Sequence, residues 1–104
     1  MTLHRSAGGP LTYELLFELA RAAEGQTLET VTGKKFSVGV YRDAPFFTPA
    51  SSGYGQADGR LPTERFIERY NETGSLRPGD YGKLTRNASY LMGLLLWAQA
   101  RGDL

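Results

Sequence analysis

The chain has 104 residues, of which 40% are hydrophobic and 22% charged, and its formal net charge is +1. This composition is typical of one ordinary globular domain and not of a disordered or fibrous chain. The absence of cysteine excludes disulfides, thiolate metal sites and cysteine nucleophiles. A net charge this small does not identify a partner by itself.

The N-terminal segment and the longest apolar run indicate a soluble, cytoplasmic protein. Glu14 and Glu18 interrupt the first apolar stretch, which therefore lacks the unbroken core of a signal peptide. The longest apolar run, residues 90–98, is about half of the ~20 residues that a membrane-spanning helix needs. We expect no membrane contact, and we expect residues 1–104 to form one domain in which residues 1–9 are a flexible lead-in.

The first predicted helix covers residues 11–24, where apolar residues recur at helical spacing. Thr12 is placed to cap its first turn, and Gly25 to end it in the left-handed conformation. One side of this helix is therefore expected to face a core.

Alternating apolar residues follow and predict strands. Residues 27–32 and 36–42 predict a hairpin around Gly33, and residues 46–48 predict a third strand. The inward positions of the second strand are Phe36, Val38 and Val40. Pro45 suits an edge position, because proline cannot donate a backbone hydrogen bond to a ladder.

Residues 49–62 predict a long loop rich in glycine and serine, and loops of this length are often functional. A second helix is predicted at residues 63–73, with Thr63 as its cap and Gly74 at its end. Its glutamates alternate with arginines, which indicates an exposed side with weak ion pairs.

No group of residues indicates catalysis, a metal site or a cofactor. The serines of the 49–62 loop lack a base, since the only histidine is His4 in the lead-in. Gly33-Lys34-Lys35 lacks both the earlier glycine and the following serine or threonine of a Walker phosphate loop. With one histidine and no cysteine, metal ligation is also unsupported. We therefore expect a protein that is not an enzyme.

The polar start of the last predicted helix, residues 86–100, has two interpretations. Thr85 and Asn87 either only cap the helix, or its first turn binds an anion with Arg86 while the Asn87 amide reads an adenine edge. Basic residues nearby in the sequence favour nucleic acid. The candidate contacts are Lys34, Lys35, Arg60, Lys83, Arg86 and Asn87.

The apolar remainder of this helix also has two interpretations. The apolar residues on one side of the helix are enough to pack against a core, whereas three further apolar residues lie largely outside that side. These three are Met92, Leu96 and Trp97. Either the helix is the central rod of the domain, or these residues contact another chain, as in a homodimer.

Three stretches of the chain, residues 36–53, 69–81 and 85–95, together resemble a known kind of module. Their order is similar to that in small winged-helix-like modules of bacterial and phage proteins, which sometimes accompany restriction-type nucleases. The most recognisable element is Asn87–Leu91, and the resemblance covers residues 11–98. It implies DNA as the partner in preference to a small-molecule substrate.

The sequence thus predicts an α+β domain in which a three-stranded antiparallel meander packs against three helices, in the order α-β-β-β-α-α. The favoured function is binding of nucleic acid, duplex DNA above all. The alternative is a protein-interaction module, such as a dimeric adaptor or an inhibitor from a mobile element.

Overall fold

The computed structural model describes residues 10–104, so the lead-in predicted at residues 1–9 lies outside the described residues. The elements, in chain order, are α1 (Tyr13–Ala22), β1 (Thr27–Glu29), β2 (Lys35–Tyr41), β3 (Ala44–Pro49), β4 (Gln56–Ala57), α2 (Arg60–Thr73), a short 3-10 helix (Pro78–Tyr81) and α3 (Ala88–Arg101). The strands form one antiparallel sheet in sequential order. The predicted α+β class is confirmed, with one strand more than expected.

The long loop predicted for residues 49–62 is largely replaced by regular structure. β3 continues to Pro49, β4 begins at Gln56 and α2 begins at Arg60, so residues 50–55 alone connect β3 and β4. A strand of two residues is too short to produce a recognisable alternation. For that reason β4 was not predicted.

Pro45 lies in an inner strand and not at the predicted edge, since β3 has β2 on one side and β4 on the other. Its carbonyl accepts a hydrogen bond from the Asp58 amide at 2.9 Å, so its nitrogen also faces the β4 side. β4 has already ended at Ala57 there. The missing N–H of proline therefore costs no ladder bond to β2.

The turn between β2 and β3 is formed without glycine. Arg42 and Asp43 both have positive φ angles, 51° and 63°, which side-chain-bearing residues adopt at a cost. The Tyr13 hydroxyl donates a hydrogen bond to the Asp43 carbonyl at 2.6 Å. This bond ties the turn to the first residue of α1.

One face of the sheet packs against α1 and α3. Phe36, Val38 and Phe47 are buried on this face, and Val40 is half-buried against the same core. The Tyr90 ring of α3 lies 5.1 Å from the Phe36 ring and 5.8 Å from the Phe47 ring, measured between centroids. α3 therefore crosses the sheet over β3 and β2.

α3 is the central rod of the domain, which is the first of its two interpretations. It contacts β1, α1 and the 3-10 helix. Met92 is completely buried, so its predicted place in an exposed protein interface is wrong. Leu96 and Trp97 are half-buried against the core, and the Arg101 guanidinium covers the Trp97 ring at 4.4 Å. Among residues 10–104, no helix is long and apolar enough to span a bilayer.

α3 and the sheet approach each other most closely at Gly93. A Cβ atom there would lie 2.8 Å from the Phe36 ring and 2.9 Å from the backbone oxygen of Glu29. We expect Gly93→Ala to lower the free energy of unfolding by about 1–2 kcal/mol, because overpacking against backbone outweighs the helix propensity of alanine. Urea unfolding followed by circular dichroism measures this loss.

Gly39→Ala is the matched control for this substitution. Gly39 has no positive φ angle, and an added Cβ would meet only a Glu24 carboxylate oxygen at 4.0 Å. Its stability should be unchanged or slightly raised. Equal stability of the two variants would contradict the close approach described for α3.

Candidate nucleic-acid interface

A buried carboxylate joins β4, α2 and the start of α3. Asp58 is 2% exposed. It accepts hydrogen bonds from the hydroxyls of Thr63 and Thr85 and from the Asn87 amide nitrogen at 3.0 Å. The Asn87 amide oxygen in turn accepts from the Gln56 side chain at 2.6 Å. These five residues form one hydrogen-bonded group, called here the Asp58 network.

Thr63 and Thr85 do not cap helices, although their positions in the sequence predict that role. α2 has Gly59 at its N-cap and α3 has Asn87, and neither N-cap side chain makes a capping hydrogen bond. Both threonine hydroxyls donate to Asp58 because a buried carboxylate without donors is far more costly than an uncapped helix end. The third predicted cap, Thr12, is confirmed, since its hydroxyl accepts from the Leu15 amide at 3.1 Å.

Asn87 points into the protein, where it is 1% exposed. Its amide nitrogen and oxygen are both hydrogen-bonded to other side chains. The prediction that this amide reads an adenine edge is therefore wrong for this structure. Asp58, the partner that draws it inward, lies 29 residues away in the sequence.

Lys83 and Arg86 remain exposed beside the Asp58 network. With Gly59 and Pro62 they line a cavity of about 400 Å³. Because Asn87 is engaged by Asp58, its side chain does not cap the first turn of α3. The N–H groups of that turn carry a partial positive charge that favours an anion.

Lys34 and Lys35 lie at the tip of the β1–β2 hairpin, beside the turn that connects β3 and β4. The Ala50 amide donates to the Lys35 carbonyl at 2.9 Å, so the 50–55 turn begins beside the hairpin tip. This turn ends at Gln56, which is bonded to Asn87. Residues 30–35 and 50–55 are thus neighbours at one end of the sheet, called here the loop end.

Residues 82–87 lie instead beside Asp58, whose amide is bonded to the Pro45 carbonyl near the β2–β3 turn. Lys83 and Arg86 therefore form a separate cationic group beside the start of α2.

The loop end is cationic. Its two segments contain Lys34 and Lys35 but no aspartate or glutamate, whereas Lys83 and Arg86 line a cavity together with the buried Asp58. Glu29 lies opposite Lys35 in the β1–β2 register. The ion pairs found within residues 10–104 involve neither Glu29 nor any of these four cations.

Arg60 does not join the loop end. Its guanidinium lies 4.4 Å from the centre of the Tyr13 ring and 3.6 Å from a Glu64 carboxylate oxygen. Burial raises the pKa of the Tyr13 phenol, and the Arg60 charge opposes that rise. The six predicted contacts therefore do not form one group. Lys34 and Lys35 lie at the loop end, Lys83 and Arg86 lie near the start of α2, Asn87 points inward, and Arg60 lies beside α1.

Sequence reasoning missed Tyr54, which lies in the 50–55 turn and is 84% exposed. The available signal was its position between Gly53 and Gly55, because flanking glycines often mark an exposed turn. An exposed aromatic ring among cations is a frequent feature of nucleic-acid surfaces.

No family model, curated protein or solved structure matches this chain. The resemblance to winged-helix-like modules therefore stays a prediction.

We expect Asn87→Ala to lower the free energy of unfolding by about 1–3 kcal/mol, because it leaves Asp58 with one donor fewer and Gln56 without its acceptor. Ser89→Ala, at an exposed position of the same helical turn, should change stability by less than about 0.5 kcal/mol. Chemical denaturation of both variants measures the difference. If Asn87→Ala were as stable as the parent chain, the Asp58 network would not have the structural role described.

Proposed function

We propose that this protein is a non-enzymatic nucleic-acid-binding protein that contacts phosphates, those of duplex DNA in the first place, through Lys34 and Lys35 of the loop end and through Lys83 and Arg86 before α3. The observation that carries the proposal is that these four cations are exposed and form no ion pair among the described residues. Neutralising phosphates with such side chains releases counterions and supplies most of the sequence-independent affinity for nucleic acid.

The inward orientation of Asn87 favours a ligand recognised by its backbone. Base-edge contacts carry sequence specificity, whereas phosphate contacts mainly set position and affinity. The exposed cationic donors are the side chains of Lys34, Lys35, Lys83 and Arg86. We therefore expect affinity to depend strongly on salt and weakly on base sequence.

The protein-interaction alternative rested on Met92, Leu96 and Trp97. Within one chain, Met92 is buried and the other two pack against the core. The apolar character of α3 is thereby explained without a second chain.

We expect binding to a short DNA duplex to weaken steeply as salt rises. Each phosphate contact contributes about −0.9 to the slope of log K against log salt. Lys83→Ala and Arg86→Ala should each reduce the magnitude of that slope by about 1, with similar effects on unrelated base sequences. Fluorescence anisotropy over a range of salt concentrations measures both quantities.

Arg21→Ala is the matched control, because it removes one exposed positive charge from the last turn of α1, and Arg21 does not line the cavity of Lys83 and Arg86. The salt slope of this variant should equal that of the parent chain. Absence of duplex binding at low salt, or an equal loss in all three variants, would refute the proposed interface.

A further inference from the structure

The side chain of Tyr54 is held in solvent by a well-defined turn. Its exposure, 84%, is the highest among the large apolar residues described between residues 10 and 104. Most large aromatic side chains gain free energy by burial, and this ring contributes nothing to the core. Its position is therefore not explained by folding.

The backbone around Tyr54 has little freedom. The Gly53 amide donates to the Pro49 carbonyl at 2.9 Å, and Gly53 has a φ of +71°. The Tyr54 amide is 3.2 Å from the Ser52 hydroxyl oxygen, its acceptor. A Cβ at residue 55 would lie 2.1 Å from the Phe46 ring, so Gly55 is packed directly on that ring. These contacts present the tyrosine at the apex of the turn.

Two cations lie beside the start of this turn. The Ala50 amide is bonded to the Lys35 carbonyl, and Lys34 precedes Lys35 at the hairpin tip. Both lysine side chains are exposed and form no ion pair among the described residues. An exposed aromatic ring next to phosphate-binding cations is the arrangement by which proteins hold an unstacked base and the phosphates beside it.

We infer that Tyr54 stacks on an unpaired base, so that the loop end prefers a DNA duplex containing an unpaired base to an intact duplex. In an intact duplex both faces of every internal base are covered by neighbouring bases, and no face is open to the ring. An unpaired base leaves the helical stack at lower cost. The absence of carboxylates from the loop end fits a polyanion and not a neutral or acidic peptide.

This inference rests on the proposed function and adds to it the form of the ligand. The test compares an intact duplex with the same duplex carrying one bulged 2-aminopurine, whose fluorescence falls when it stacks on an aromatic ring. The parent chain should bind the bulged duplex more tightly and quench its fluorescence. Tyr54→Ala should lower affinity for the bulged duplex about 5- to 100-fold, the loss that stacking of one base implies, and should abolish the quenching.

Three further measurements identify the cause of any loss. Tyr54→Phe keeps an aromatic ring and should retain affinity and quenching. Tyr41→Ala removes a tyrosine that is 54% exposed at the far end of β2 and should leave both unchanged. Thermal unfolding of Tyr54→Ala should match that of the parent chain, because the ring touches no core residue.

The outcomes separate this inference from the proposed function. If the parent chain binds both duplexes equally, or if Tyr54→Ala weakens both by the same factor, base stacking is wrong while phosphate binding stands. If the parent chain binds neither duplex at low salt, the proposed function fails and this inference fails with it.

Discussion

The arrangement of β4, α2 and the start of α3 depends on one buried carboxylate. Asp58 follows the two-residue strand β4 and lies beside the first turn of α2 and the start of α3. A carboxylate removed from water requires several hydrogen-bond donors, and no nearby cation supplies them among residues 10–104. Thr63, Thr85 and Asn87 do so instead. This single requirement draws three segments together that are distant in the sequence.

The same requirement explains why the start of α3 differs from an ordinary capped helix. Thr85 and Asn87 are both residues that commonly accept hydrogen bonds from first-turn amides. In this protein they are donors to Asp58, and the first turn of α3 has no side-chain cap. Arg86, between these two residues, is exposed. The Asp58 carboxylate lies at the start of α3, where the helix dipole stabilises a negative charge.

Sequence patterns predicted the parts of the fold that depend on local periodicity and turn chemistry. Phe36 and Val38 alternate as an inward strand face should, and Gly74 ends its helix with a positive φ angle. β4 was not predicted, because a strand of two residues shows no alternation. The site was predicted only in part, because the orientation of Asn87 is set by a residue 29 positions away and no local pattern contains that information. The separation of the hairpin-tip lysines from Lys83 and Arg86 likewise depends on the strand register.

The domain separates the residues that stabilise it from those available to a ligand. α3 is enclosed along its length and packed at Gly93 directly against the sheet, so its start has a defined position relative to β4. Exposed lysines and arginines that form no ion pair contribute little to folding, and the ring of Tyr54 lies outside the core. A rigid support carrying side chains with no structural task is suited to binding a ligand without rearrangement, because little conformational entropy is lost in the backbone.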